Sequence, residues 1–211
     1  MVIPKEWKCN IPTEDVTITA LLELPLPRRG SVECPAELLI SALFSKQEPS
    51  NYVEALQESQ EIPSASYLKA LRAMVQKVQD DGYISVIGGF PGTPMGPIYP
   101  LWVVQYWEHL SFPVSSKTSW THSMAWLEGN SEAHLVKEFT SVLPWISPIA
   151  AGLDFSINDL SLLLSDEWLD DNHIKFFTSF FGRIATENAL PILITTLACT
   201  SPITGESQAC I

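Results

Sequence analysis

Apolar residues recur at helical spacing along much of the chain after residue 61. In "PSASYLKALRAMVQKVQDDG" the positions Leu68, Leu71, Val75 and Val78 fall on one stripe. Recurrence at three- and four-residue steps places such positions on one face of a helix. Ser64 or Ser66 supplies a hydroxyl for the N-cap, and Gly82 supplies the stop. "YISVI" follows, where β-branched and aromatic residues predict a short strand. "GGFPGTPMGPIYP" is predicted to be a loop, because glycine and proline interrupt both periodicities.

Three further helices are expected. "LWVVQYWEHL" begins after Pro100. "SSKTSWTHSMAWLEG" is capped by Ser115 or Ser116 and stops near Gly129. "SEAHLVKEFTSVL" is capped by Ser131 and ends at Pro144. Trp102, Trp107, Trp120, Trp126 and Trp145 lie in or beside these helices, and aromatic residues at that spacing are expected in a core. "SDEWLDDNHIKFFTSFF" (Ser165 to Phe181) puts Asp170 and Asp171 near a helix start, where carboxylates oppose the positive end of the helix dipole. Phe177, Phe180, Phe181 and Ile184 then form its apolar stripe. "LPILITTLACTS" reads as a buried strand, and the tail "PITGESQACI" as frayed.

Residues 1–60 carry a weaker pattern. "ELPLPRRGSVECPAE" is broken by Pro25, Pro27, Gly30 and Pro35, which suits turns and extended segments, and Pro35 is suited to open a short helix through "AELLISALF". Loose packing is expected here. The fold class that follows is mainly α with a few short strands (α+β). It divides into a poorly specified N-terminal segment (1–60), a tryptophan-rich helical region (61–145) and a final segment (146–211).

Composition narrows the functional classes. The chain has 211 residues, 46% hydrophobic and 17% charged, enough apolar material for a core. Its formal net charge is −12, and Arg28-Arg29 is the only adjacent basic pair. Phosphate backbones are held by concentrated Lys and Arg, so nucleic-acid binding is not expected; a cationic or mixed-charge protein surface fits better. Met1 to Asn10 lacks the apolar centre of a signal peptide, and "ALPILITTLAC" is too short to cross a bilayer. The expected location is intracellular, nuclear or cytoplasmic, with the four cysteines Cys9, Cys34, Cys199 and Cys210 as thiols.

Chemistry-bearing motifs are sparse. His109, His122, His134 and His173 form no HxxxH or HxxE arrangement, and Asp166, Glu167, Asp170 and Asp171 lack the glycine-centred loop of an EF-hand. No metal or cofactor is expected. The glycines of the 88–96 loop are not followed by Lys-Ser/Thr, so they make no phosphate cradle. There is no GxSxG elbow, and Cys199 and Cys210 have no local activating motif.

Four blocks taken together carry a resemblance: "PLWVVQYWEHL" (Pro100 to Leu110), "SWTHSMAWL" (Ser119 to Leu127), "LPW" (Leu143 to Trp145) and "EWLDDNHIKFF" (Glu167 to Phe177). They resemble fungal proteins carrying a SUMO-protease-like (ubiquitin-like-protein peptidase) cysteine protease domain. In that family a Trp-Leu-Asn-Asp type motif opens the protease domain; here it reads Trp168-Leu169-Asp170-Asp171, with a helix after it. The resemblance implies that Trp168 walls the tunnel for the Gly-Gly tail of a ubiquitin-like protein, with Asp171 as a polar contact beside it.

The family's catalytic His, Asp, Gln and Cys would stand downstream of this motif. The residues after Trp168 contain one histidine, His173, inside the first helix, and "SQACI" lacks the Asp before and the Gly after its cysteine. The expectation is therefore a truncated relative without catalytic activity alone. The alternatives are an acidic helical interaction module or the front portion of a longer active cysteine protease.

Overall fold

Helix α5 (Ala65–Asp80) shows most directly how the sequence becomes structure. Ser64 is its N-cap, accepting from the Tyr67 N–H, and the chain leaves the helix through Gly82 at φ 80°. Leu68, Leu71, Val75 and Val78 are all buried. The computed structural model describes residues 2–31, 39–58, 61–88, 96–131, 133–148, 156–163, 174–175 and 178–179.

Before α5 come four short helices, α1 (Lys5–Lys8), α2 (Ile18–Glu23), α3 (Ile40–Leu43) and α4 (Tyr52–Gln57), and the strands β1 (Arg28–Arg29), β2 (Phe44–Ser45) and β3 (Glu61–Ile62). After it come β4 (Ser85–Ile87), β5 (Ile98–Pro100), α6 (Trp102–Asn130), α7 (Ala133–Val142) and α8 (Ile157–Leu163). β2, β4 and β5 form an antiparallel sheet in that order, with Phe44 opposite Val86 and Val86 opposite Tyr99. β1 and β3 pair in parallel, Arg29 opposite Ile62. The class is mainly α with a few short strands.

Two apolar cores lie along α6. The first gathers Trp7, Phe44, Leu56, Ile62, Leu71, Val78 and Val86 against the first half of α6, from Val103 to Val114. The second gathers Ile18, Leu21, Trp145 and Ile157 around Trp120 in the second half. Leu26 packs against both. Burying an aliphatic side chain such as Leu21, fully shielded here, contributes about 1.5–3 kcal/mol.

Three expectations are corrected. The two helices predicted over 101–129 are one: α6 runs through Pro113. An interior proline removes a hydrogen bond and crowds the preceding turn, at about 3 kcal/mol. The helix continues because each flanking half buries its own face in a different core. Ser115 and Ser116 are therefore interior residues rather than caps, and Ser131 is the C-cap of α6, while residue 132, which precedes α7, lies outside the described residues.

The end of the predicted loop is strand β5, paired with β4. The described part of the first 60 residues is not loosely packed, because α1, α2, β2 and α4 place Trp7, Ile18, Leu21, Phe44 and Leu56 in the cores. Of the helix expected after Pro35 the described part is α3, with Pro35 itself outside the described residues. Among the five tryptophans expected in the core, Trp107, Trp120 and Trp145 are buried and Trp102 packs at the edge, while Trp126 is 49% exposed.

No helix among the described residues is long and apolar enough to cross a membrane.

Candidate functional site

A cleft of about 640 Å³ opens where the N-terminal loops meet α6. Pro4 precedes α1, whose single turn drives Trp7 into the first core. The Trp7 ring stands edge-on to Tyr106 at 5.7 Å between centroids and lies 6.0 Å from that of Trp102. Residues 9–13 then leave the core and form one lip of the cleft. The opposite lip is 24–27, where Pro25 and Pro27 fix φ and prevent α2 from continuing. Lys117 Nζ donates to the Leu24 carbonyl at the end of α2, and the Trp145 indole donates to the Thr13 carbonyl, so both lips are fixed to the helical body.

The floor is apolar, with Leu26, Ile62, Trp107 and Leu110. Lys8, Cys9, Asn10, Thr13, Gln57 and Tyr106 bring polar groups to its walls. Asn10 hydrogen-bonds the Tyr106 hydroxyl, and Cys9 lies close by, its thiol donating to the Glu6 carbonyl at 3.0 Å. Burial, aided by the neighbouring Cys9, raises the Tyr106 phenol above its ordinary value despite the Asn10 hydrogen bond, so it stays a neutral hydroxyl at physiological pH. Among the described residues that line the cleft there is no His, Asp or Glu beside Cys9. A volume of this size with aromatic walls and a few convergent polar groups is chemically equipped for binding.

The residues singled out from the sequence are distributed otherwise. Trp168 and Asp171 lie outside the described residues, as do His173, Cys34, Cys199, Cys210, the acids at 166, 167 and 170, the phenylalanine stripe of 177–184 and the strand expected in 190–201. His109, His122 and His134 are exposed, and no group of three or more potential metal ligands occurs among the described residues.

The approach to Trp168 is described up to α8. Ser156 caps that helix, its N–H and hydroxyl both donating to the Asp159 carboxylate, at 2.6 and 2.7 Å. This is the reciprocal capping arrangement with Asp in the usual Glu position. Ser123 Oγ on α6 donates to the Ser161 carbonyl at 2.7 Å, holding α8 against the second core, and α8 ends at Leu163, ahead of the Trp168 motif.

The cleft was missed in the sequence because its walls come from four distant stretches, 7–13, 24–27, 56–62 and 106–110. The available signal was the combination of Trp7 with Pro12, Pro25 and Pro27 in a region otherwise lacking periodicity. Comparison with protein-family profiles, with characterised proteins and with solved structures finds no match to this chain.

Proposed function

We propose that this chain is a non-catalytic binding protein related to the front of SUMO-protease-like proteins, taking the Gly-Gly tail of a ubiquitin-like protein at Trp168 and Asp171. The observation that carries the reading is the order of parts. A well-packed helical body ends in α8, which is anchored to α6 through Ser123 and Ser161, directly ahead of the Trp168-Leu169-Asp170-Asp171 motif. A flat indole suits a glycine tail, because residues without side chains let the ring approach the backbone closely.

Calorimetric titration with a ubiquitin-like protein ending in Gly-Gly, and with the same protein trimmed of that tail, tests the reading. Binding should disappear on trimming and weaken about 30-fold or more in Trp168→Ala, the loss typical of a buried tryptophan anchor. Binding that survives both changes overturns it.

A second reading, a helical protein-interaction module, is favoured by the cleft beside Tyr106. Its apolar floor would receive a short hydrophobic segment of a cationic partner, which the net charge of −12 would attract. Partner-induced NMR shifts in the methyl groups of Leu26, Leu56 and Ile62, without change at Trp168, would favour this reading over the first.

A further inference from the structure

A second groove, of about 360 Å³, runs between β1, the exposed side of α5 and the middle of α6. Arg29, Lys69 and Arg72 all line it, and Glu108 is its one carboxylate. Three cations gathered in one small concavity stand out in a chain with 24 acidic and 12 basic residues.

Each cation is differently placed. Arg29 is fixed: one terminal nitrogen donates to the carbonyl of Ser111 at 2.8 Å and also to its hydroxyl. A guanidinium has five N–H donors in a planar fork, so this anchorage leaves donors for a ligand. Partial burial lowers the Arg29 pKa from its ordinary value, yet arginine remains protonated in proteins. Lys69 and Arg72 are three positions apart on α5 and hence share a face. Arg72 pairs with Glu108 across the helices, with both side chains solvent-accessible. Lys69 makes no ion pair among the described residues. Among the described residues one carboxylate thus faces three cations, which leaves two positive charges uncompensated there.

We propose that this groove binds a single oxyanion group, a phosphate or carboxylate carried by a ligand. Arg29 supplies a pre-oriented fork, Lys69 a mobile ammonium, and Ser115 a hydroxyl on the α6 side. Phe112, 46% exposed on the groove wall, offers a surface for an apolar portion of the same ligand. The volume is near the lower end for ligand sites and matches one anionic group with a few attached atoms rather than a polymer backbone. Glu108 competes with the ligand for Arg72, so it sets the affinity from within the groove.

Titration of the isotope-labelled full chain with sodium phosphate, pyrophosphate and citrate, followed by NMR, tests the proposal. Shifts should cluster at Arg29, Lys69, Arg72 and Ser111 at millimolar anion and vanish in the double variant Lys69→Glu, Arg72→Glu. Both substituted side chains are exposed, so far-UV circular dichroism should stay unchanged. Glu108→Gln should tighten binding by about threefold to tenfold, since it removes a competing charge at close range. Phosphate and pyrophosphate without citrate would assign a phosphate ligand, and citrate alone a carboxylate ligand. Absence of shifts with every anion, shifts that persist in the double variant, or unchanged affinity in Glu108→Gln would overturn the proposal.

Discussion

The indole Nε1–H of Trp145 donates to the backbone carbonyl of Thr13 at 2.9 Å, joining residues 132 positions apart. On either side of it, the Trp145 N–H donates to the Val16 carbonyl at 3.0 Å and the Ile18 N–H to the Leu143 carbonyl at 3.1 Å. These bonds fix the turn before α2 against the end of α7, and the ring itself fills the second core. Trp145→Phe keeps most of the apolar contact but removes one of two donors to the Thr13 carbonyl, which keeps the Val16 N–H at 3.3 Å. A loss of about 0.5–1.5 kcal/mol is expected. Trp145→Ala should cost about 3–5 kcal/mol through the added cavity. Urea unfolding curves of the two variants separate the polar contribution from the packing contribution.

Gly88 passes against β5 with no space for a side chain. Its N–H donates to the Pro97 carbonyl at 2.7 Å, and a Cβ at this position would overlap the Tyr99 ring and approach that carbonyl oxygen to 2.7 Å. The Tyr99 ring is itself fixed edge-on to Trp107, with centroids 5.2 Å apart. Gly88→Ala should therefore destabilise by about 1–3 kcal/mol, the usual cost of overpacking. A lower thermal midpoint, with exchange protection lost first at β4 and β5, is the expected observation.

The Ser123–Ser161 hydrogen bond is the polar attachment of α8 to α6, and it is buried. Ser123→Ala removes the donor and leaves the Ser161 carbonyl unpaired in an apolar setting, at about 1–3 kcal/mol. Because α8 is a short terminal element of the described body, the effect should be local. Hydrogen exchange should accelerate across Ile157–Leu163 while α5 remains protected.

Alkaline conditions should weaken the first core. Burial raises the phenol pKa of both Tyr99 and Tyr106 above the ordinary value near 10. Above that value the unfolded chain releases protons that the folded chain retains, so unfolding becomes more favourable with rising pH. Stability is thus fully present below about pH 10 and lost as pH rises through the folded-state values. Tyr106→Phe should reduce this alkaline slope without abolishing it, since Tyr99 contributes the remainder. Denaturant midpoints measured on either side of pH 10 provide the check.

Local elements were legible where one helix face or one cap determined them. The Ser64 cap, each step of the α5 stripe and the Gly82 stop are each set by residues within a turn of them, so neighbouring residues carry the whole signal. The continuity of α6 was not legible, because the factor overriding Pro113 is tertiary: two cores, each built from residues far from the proline. Trp126 resembles the other tryptophans in sequence, yet it is 49% exposed while Trp120 on the same helix is fully buried in the second core. The cleft and the cationic groove were illegible for a related reason. Arg29, the Lys69 and Arg72 pair, and Ser111 stand in three distant stretches of the chain and meet only when β1 packs beside α5 and α6.

The bracket formed by Thr13, Val16 and Ile18 on one side and Leu143 and Trp145 on the other also governs the order of assembly. During synthesis α2 emerges early, with Ile18 and Leu21 prepared to be buried, yet Trp120, Trp145 and Ile157 follow more than 90 residues later. The ribosome therefore presents "ITALLEL" long before Trp120, Trp145 and Ile157 exist to cover it, so the burial of Ile18 and Leu21 in this core waits for the second half of the chain.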